Sequence, residues 1–172
     1  PRQYKEVRIE KLHPYEQSEE AQWGEYVHKC LEDAITQGEA LPHNVSQYQP
    51  LIDAVAQRRA AGWEVWCEKT FAIMNNDQAE FTDSENKLAG NIDLLMVSPD
   101  GKEAIINDWK TNKSAKYADP KQIDLYALGT LLAIPTLEKV TGCLMFICDE
   151  YKMVKSTYTR ADIDRLLHEW SF

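Results

Sequence analysis

The stretch LAGNIDLLMVSPDGKEAIINDWK, residues 88–110, is the most informative part of the sequence. Its two halves, Leu88–Val97 and Lys102–Lys110, are rich in aliphatic residues and are typical of strands. Between them lies Ser98-Pro99-Asp100-Gly101, where Pro at the second position and Gly at the fourth favour a type I turn. The stretch therefore predicts a β-hairpin in the middle of the chain.

The hairpin is expected to bring two carboxylates together. If its loop has four residues, Asp93 lies opposite Ile106. Because side chains alternate between the two faces of a strand, Asp93 then shares a face with Asp108 and Lys110. The two acids become diagonal neighbours, roughly 7 Å apart at the backbone. A three-residue loop with Gly101 in a bulge would instead shift the pairing by one residue and put Asp93 on the opposite face.

Apolar spacing and capping residues predict further elements on both sides of the hairpin. Helices are expected over Ser18–Gln37, Gln47–Ala61, Asp119–Ala133 and Thr159–Trp170, and strands over Trp63–Met74, Thr141–Asp149 and Tyr151–Tyr158. The polar segment Asn75–Lys87 predicts a loop. This order of elements indicates one mixed α/β domain over residues 1–172, with residues 1–17 as an N-terminal arm.

The composition places few limits on the class of protein. Hydrophobic residues make up 44% and charged residues 27% of the chain, and no apolar run is long enough to cross a membrane. The cysteines form no CxxC pair and predict free thiols in a reducing compartment: Cys30, Cys67, Cys143 and Cys148. With no leader-like segment, the expected location is the cytoplasm, or the host cytoplasm for a phage-encoded protein.

The distribution of charge is more informative than its sum. A formal net charge of −9 argues against a protein that coats nucleic acid. Five lysines nevertheless fall between positions 102 and 121, and three of them, Lys113, Lys116 and Lys121, are expected to contact nucleic-acid phosphates. An acidic protein with one local basic stretch fits brief contact with a nucleic-acid substrate.

Two carboxylates and one ammonium are close to the smallest set that suits phosphodiester hydrolysis. Carboxylate oxygens are the ligands that hard divalent cations prefer, and a bound cation activates water and acts as a Lewis acid. A neighbouring ammonium can orient that water or stabilise developing negative charge. Asp93, Asp108 and Lys110 are therefore the first candidates for catalytic residues.

Three motifs follow one another along the chain: Gly90-Asn-Ile-Asp93, Asp108-Trp-Lys110-Thr111 and Gln122-Ile-Asp-Leu-Tyr126. Together they resemble the GxxD, D/E-x-K and QxxxY motifs of the RecB-like, lambda-exonuclease-like branch of the PD-(D/E)xK nuclease superfamily. An upstream helical histidine is also typical of that branch, and Gly24-Glu-Tyr-Val-His28 fits its place. The resemblance extends from Trp23 to Leu132.

The resemblance implies a restriction-endonuclease-like core, in which helices flank a central mixed sheet in the order αβββαβ. It implies Mg²⁺ or Mn²⁺ held by Asp93 and Asp108, with the carbonyl of Trp109 and the ring of His28 as further ligands. Lys110 would be the catalytic lysine. No iron–sulfur cluster is expected, because the chain lacks the cysteine set of the related nucleases that carry one.

The resemblance also gives supporting roles to three other residues. Gln122 and Tyr126 stand four residues apart on one helix face, and they would steady the lysine or the end of the DNA. Glu68 resembles a further acidic position on the strand that precedes the hairpin. Glu25 is a candidate for an acid that supports His28.

The expected function is that of a metal-dependent DNA nuclease that hydrolyses phosphodiester bonds, acting as an exonuclease in DNA recombination, repair or phage DNA metabolism. Its expected partners are DNA and a recombination or replication protein, with no membrane partner. Two alternatives stay open: a catalytically retired module that binds DNA ends or a protein partner, and a plain acidic interaction domain. The sequence leaves strand polarity, exo- or endonuclease action and oligomeric state undecided.

Overall fold

The computed structural model describes residues 18–82, 88–111 and 119–170. The helices are α1 (Glu19–Gln37), α2 (Gln49–Ala60), α3 (Lys121–Ala133) and α4 (Ile163–Glu169). The strands are β1 (Glu64–Ile73), β2 (Ala79–Glu80), β3 (Leu88–Val97), β4 (Glu103–Lys110), β5 (Lys139–Phe146) and β6 (Lys152–Thr159). Over these residues, no helix is both long and apolar enough to cross a membrane.

The strands form one six-stranded sheet in the order β2-β1-β3-β4-β5-β6. All neighbouring strands are antiparallel except β4 and β5, which run parallel. A parallel pair needs a crossover connection, and α3 supplies it over one face of the sheet. The predicted α/β fold with a mixed sheet between helices is confirmed.

The helices divide the core into two layers, one on each face of the sheet. The face covered by α3 and α4, called the α3 face below, is packed by residues that include Phe71, Ile106, Leu128 and Leu144. The face covered by α1 and α2, called the α1 face, is packed by residues that include Val27, Leu31, Val55 and Leu94. Asp93 and Asp108 lie buried between these layers, where a carboxylate is costly unless it has a partner.

Helix α1 begins and ends where its capping residues predict. The Ser18 hydroxyl oxygen accepts the N–H of Ala21 at 3.2 Å, which satisfies one donor of the first turn. Gly38 ends the helix with φ +70°, and its N–H bonds to the carbonyl of Asp33. The predicted bounds are therefore confirmed to within one residue.

Helix α3 lies very close to the sheet because two glycines leave room for the ring of Phe71. A Cβ at Gly90 would lie 2.5 Å from Phe71 Cε1, and a Cβ at Gly129 would lie 2.3 Å from the same ring. The ring of Tyr126 meets that of Phe71 edge to face, with 6.1 Å between centroids. This packing fixes the side chains of α3 relative to β3.

The register of the central hairpin differs from the prediction. The expected pairing of Asp93 with Ile106 is wrong, because Leu95 pairs with Ile106. The predicted turn over Ser98–Gly101 is present, with 2.9 Å between the N of Gly101 and the O of Ser98, but Ser98 bonds to Glu103 and Val97 pairs with Ala104 instead of Lys102, so the register shifts by two residues. A shift of two residues keeps the alternation of faces. Asp93 is therefore in register with Asp108 itself and not, as predicted, diagonal to it.

Other predicted boundaries also differ, among them that of the strand expected over Thr141–Asp149, which runs over Lys139–Phe146 because a turn follows Phe146. The second helix starts as a 3₁₀ helix over His43–Tyr48, and its α-helical part ends at Ala60. The expected loop over Asn75–Lys87 contains β2, which is too short and polar to be seen in the sequence but pairs with the end of β1. The predicted capping box at Thr159 is confirmed, although it opens a 3₁₀ turn ahead of α4.

Gly129→Ala is expected to destabilise the protein, although alanine is the better helix former. The added methyl group would lie 2.3 Å from the Phe71 ring, and overpacking a dense core costs about 1–3 kcal/mol. Urea unfolding should show this loss, and adding Phe71→Leu should recover part of it. A Gly129→Ala protein as stable as the parent would contradict the close packing of α3.

Candidate active site

Strands β3 and β4 separate at the two buried aspartates, Asp93 and Asp108, and this point of separation is called the fork below. Strands β3 and β4 pair only as far as Leu94 and Asn107, whereas β4 stays paired with β5 to Lys110, and β3 pairs with β1 again from Ile92 to Leu88. The next row of the interrupted ladder is that of Asp93 and Asp108. The fork therefore begins where the motifs place their acids.

The carboxylate of Asp93 takes the place of a backbone acceptor at the fork. Hydrogen-bonded pairs alternate along an antiparallel ladder, and Ser98 and Glu103 form such a pair, with 2.8 Å from N to O. Counting on from that pair, a regular ladder would join the Trp109 N–H to the carbonyl of Ile92. Instead the Trp109 N–H donates to Asp93 Oδ2 at 2.9 Å. The strands can thus separate without leaving this buried N–H unpaired.

Helix α1 brings His28 to the same carboxylate. Nδ1 of the imidazole donates to the Gly24 carbonyl at 2.7 Å, and Nε2 lies 3.1 Å from Asp93 Oδ2. Burial lowers the pKa of His28, but the hydrogen bond and the charge of Asp93 outweigh it and raise the pKa to about 9. The ring is therefore an imidazolium that donates from both nitrogens in the cation-free protein. A Cβ at Gly24 would lie 2.9 Å from the Thr111 hydroxyl, so glycine permits this approach.

A chain of polar contacts runs from Asp108 to helix α3. Lys110 Nζ lies 2.8 Å from Asp108 Oδ2 and donates to Gln122 Oε1 at 3.1 Å. Gln122 Nε2 in turn donates to the Tyr126 hydroxyl at 2.8 Å. The amide of Gln122 is thereby oriented from both ends, and the ammonium of Lys110 is held beside the acid.

The two aspartates have opposite electrostatic settings, although each is only 5% exposed. Burial raises the pKa of Asp93, but the hydrogen bond and charge of His28 outweigh it and hold the pKa below its usual value. Burial and then the charge of Asp93 raise the pKa of Asp108, against the opposing charge of Lys110. Such a split is common where neighbouring carboxylates have different tasks.

The acid pair fits a hard divalent cation. Asp108 Oδ2 is buried and, within residues 18–82, 88–111 and 119–170, has no well-formed hydrogen bond; its contact with Lys110 has the distance of an ion pair but lacks the angles of a hydrogen bond. No three His, Cys, Asp or Glu side chains of these residues converge on one point. Mg²⁺ commonly uses one or two carboxylates and fills its shell with water and substrate oxygens, which suits an acid pair without a closed cage.

The remaining predicted site residues are placed less centrally. Glu68 lies on β1 and accepts a hydrogen bond from Asn91 Nδ2. Glu25 is exposed on α1, and Lys121 is exposed at the start of α3. The predicted phosphate contacts Lys113 and Lys116 lie outside the described residues.

The contacts of two residues around the site were missed in the sequence analysis. Thr111 touches α1 at Gly24, and Asn91 links Glu68 to the hydroxyl of Thr70. Asn91 could have been found, because it is a polar residue inside an otherwise apolar strand and stands between the glycine and the acid of the GxxD motif. Thr111 directly follows the lysine of the DxK motif, but nothing in the sequence indicates that it touches α1.

Asp108→Asn is expected to stabilise the cation-free protein at neutral pH. The pKa of Asp108 is higher in the folded than in the unfolded state, so its ionisation lowers the free energy of unfolding as the pH rises above the unfolded value of about 4. The gain should be on the order of 1–2 kcal/mol near pH 7 and should vanish below about pH 4, where both side chains are neutral.

Urea unfolding in EDTA at several pH values measures this difference. Asp100→Asn is the control, because hydrogen bonds from the Ser98 hydroxyl and the Lys102 N–H lower the pKa of that exposed aspartate. The control should therefore show no gain. An Asp108→Asn protein that is less stable than the parent at pH 7 would contradict the description of the acid pair.

Comparison with known proteins shows the family of the chain. A search of curated proteins gives no significant match. Among solved structures, the chain is similar to the crystal structure of SSO0001, with 14% sequence identity, a TM-score of 0.34 and coverage of 86% of this chain and 84% of that chain. A model of the PD-(D/E)XK nuclease superfamily matches residues 1–171. Because that match takes in nearly the whole sequence, the chain belongs to the PD-(D/E)XK nuclease superfamily.

Proposed function

We propose that this protein is a DNA nuclease that depends on a divalent cation, with Asp93, Asp108 and Lys110 as its catalytic residues. The observation that carries the proposal is the buried acid pair at the fork of β3 and β4, where Asp108 Oδ2 has no well-formed hydrogen bond among the described residues. The raised pKa of Asp108 disfavours folding with that side chain ionised, and two buried carboxylates whose pKa values are moved apart are typical of functional sites.

In this proposal the two aspartates hold Mg²⁺ or Mn²⁺ through carboxylate oxygens. The bound cation would supply a water of lowered pKa and Lewis-acid polarisation of the phosphate. His28 is assigned to orienting Asp93, because its Nε2 lies 3.1 Å from Asp93 Oδ2. Direct ligation by His28 or by the carbonyl of Trp109 stays a prediction.

Lys110 is assigned to the attacking water and the developing phosphate charge. Its ammonium sits 2.8 Å from Asp108 Oδ2, so it can orient a water next to the acid pair or stabilise negative charge there. Gln122 holds that ammonium at 3.1 Å, and Tyr126 holds Gln122. Gln122 and Tyr126 therefore act in this proposal as positioning residues for the lysine.

The family supports DNA as the substrate, and the order of the GxxD, DxK and QxxxY motifs supports the RecB-like, lambda-exonuclease-like branch. We accordingly propose exonuclease action in DNA recombination, repair or phage DNA metabolism, in company with a recombination or replication protein. Lys121 precedes Gln122 at the start of α3 and is exposed, which suits contact with a DNA phosphate near the site.

Lys110→Ala and Asp108→Ala are each expected to lower the rate of DNA cleavage in Mg²⁺ by about 100-fold or more, as the loss of a group that stabilises the transition state does. Release of acid-soluble nucleotides from linear duplex DNA measures the rate. Lys102→Ala is the matched control, since Lys102 is an exposed lysine of the same hairpin, 4.0 Å from Glu138. Cleavage by Lys110→Ala at the parental rate would show that the lysine has no catalytic role.

Exonuclease action predicts that linear DNA is degraded while covalently closed circular DNA survives under the same conditions. Gel electrophoresis of both substrates after incubation with the parent protein and Mg²⁺ distinguishes the two modes. Nicking or linearisation of the circle would point to an endonuclease and would contradict the proposed branch. Binding of DNA ends without cleavage of either substrate would favour the retired module.

A further inference from the structure

Strand β1 is interrupted at Glu68. This residue has φ +52°, a left-handed conformation that is strained for a residue other than glycine, in the middle of a ten-residue strand. The ladder between β1 and β3 contains every pair from Glu64–Val97 to Ile73–Leu88 except the one that would join Glu68 to Asp93. The irregular residue of β1 therefore stands in the row of the site.

Packing shows that both strands change face at this row. In β1, Trp66 and Phe71 both pack on the α3 face, although Phe71 is five residues after Trp66. In β3, Ile92 and Leu95 both pack on that face, although Leu95 is three residues after Ile92. Regular alternation would put the members of each pair on opposite faces. Counting along the two ladders puts Glu68, Asp93 and Asp108 in one line across three strands, and both β1 and β3 change face at that line.

Asn91 fixes the carboxylate of Glu68. Its Nδ2 donates to Glu68 Oε2, and its Oδ1 accepts the hydroxyl hydrogen of Thr70 at 3.2 Å. The contact with Thr70 settles which end of the amide faces the acid.

We propose that Asn91 is a positioning residue that holds Glu68 next to the acid pair, where the charge of Glu68 strengthens binding of a divalent cation by Asp93 and Asp108. This inference rests on the proposed function. Asp108 Oδ2, buried and without a well-formed hydrogen bond in the described part of the chain, gives the same line of acids an oxygen ready to bind a cation. Because no three acidic side chains of that part converge on one point, Glu68 acts from beside the site rather than as a direct ligand.

Calorimetric titration of the DNA-free protein with Mn²⁺ tests the proposal. Asn91→Ala and Glu68→Gln should each weaken Mn²⁺ binding by about 10-fold or more, as the loss of partners around a metal site does. Because Asn91 acts through Glu68, the double variant should bind no more weakly than Glu68→Gln alone. Asn44→Ala is the matched control, since Asn44 is an exposed asparagine bonded to Tyr26.

Three results would overturn the inference. The first is that Asn91→Ala binds Mn²⁺ as tightly as Asn44→Ala does. The second is that the losses of Mn²⁺ affinity add up in the double variant of Asn91 and Glu68. The third is that the parent protein binds no Mn²⁺, which would also contradict the proposed cation. Thr70→Val, which leaves the donor of Asn91 in place, should weaken binding in the same direction and serves if Asn91→Ala fails to fold. A parent that binds Mn²⁺ but cuts no DNA would contradict the proposed function alone.

Discussion

The carboxylate of Asp93 accepts the hydrogen bond that would otherwise extend the pairing of β3 with β4. A buried N–H needs an acceptor, and here a side chain of one strand supplies it to Trp109 of the other, at 2.9 Å. The strands can then part in the middle of a covered sheet. The side chains of His28 and Lys110 flank the fork, each 26% exposed, so the buried acids lie next to groups that reach the surface.

The electrostatics of the fork follow from this arrangement. Asp93 is surrounded by donors, the imidazolium of His28 and the N–H of Trp109, and its pKa is held low. Asp108 lies beside that negative charge in a buried position, and the ammonium of Lys110 offsets only part of the cost. The cation-free protein therefore carries an unfavourable pair of acids, which a divalent cation would relieve.

Much of this arrangement could be predicted from the sequence, because helix spacing, caps and strand runs are local signals. The order of motifs also brought Asp93, Asp108 and Lys110 together, as the structure does. The register could not be predicted, since the turn over Ser98–Gly101 does not say where pairing resumes. The change of face at Glu68 could not be predicted either, because its backbone conformation depends on tertiary contacts that leave no trace in the surrounding residues.

Anomalous diffraction from crystals soaked in MnCl₂ can locate a cation at the acid pair without relying on activity. We expect one strong peak within bonding distance of carboxylate oxygens of both Asp93 and Asp108, in the fork between β3 and β4. A peak bound to neither aspartate, or no peak at a Mn²⁺ concentration that supports DNA cleavage, would contradict it.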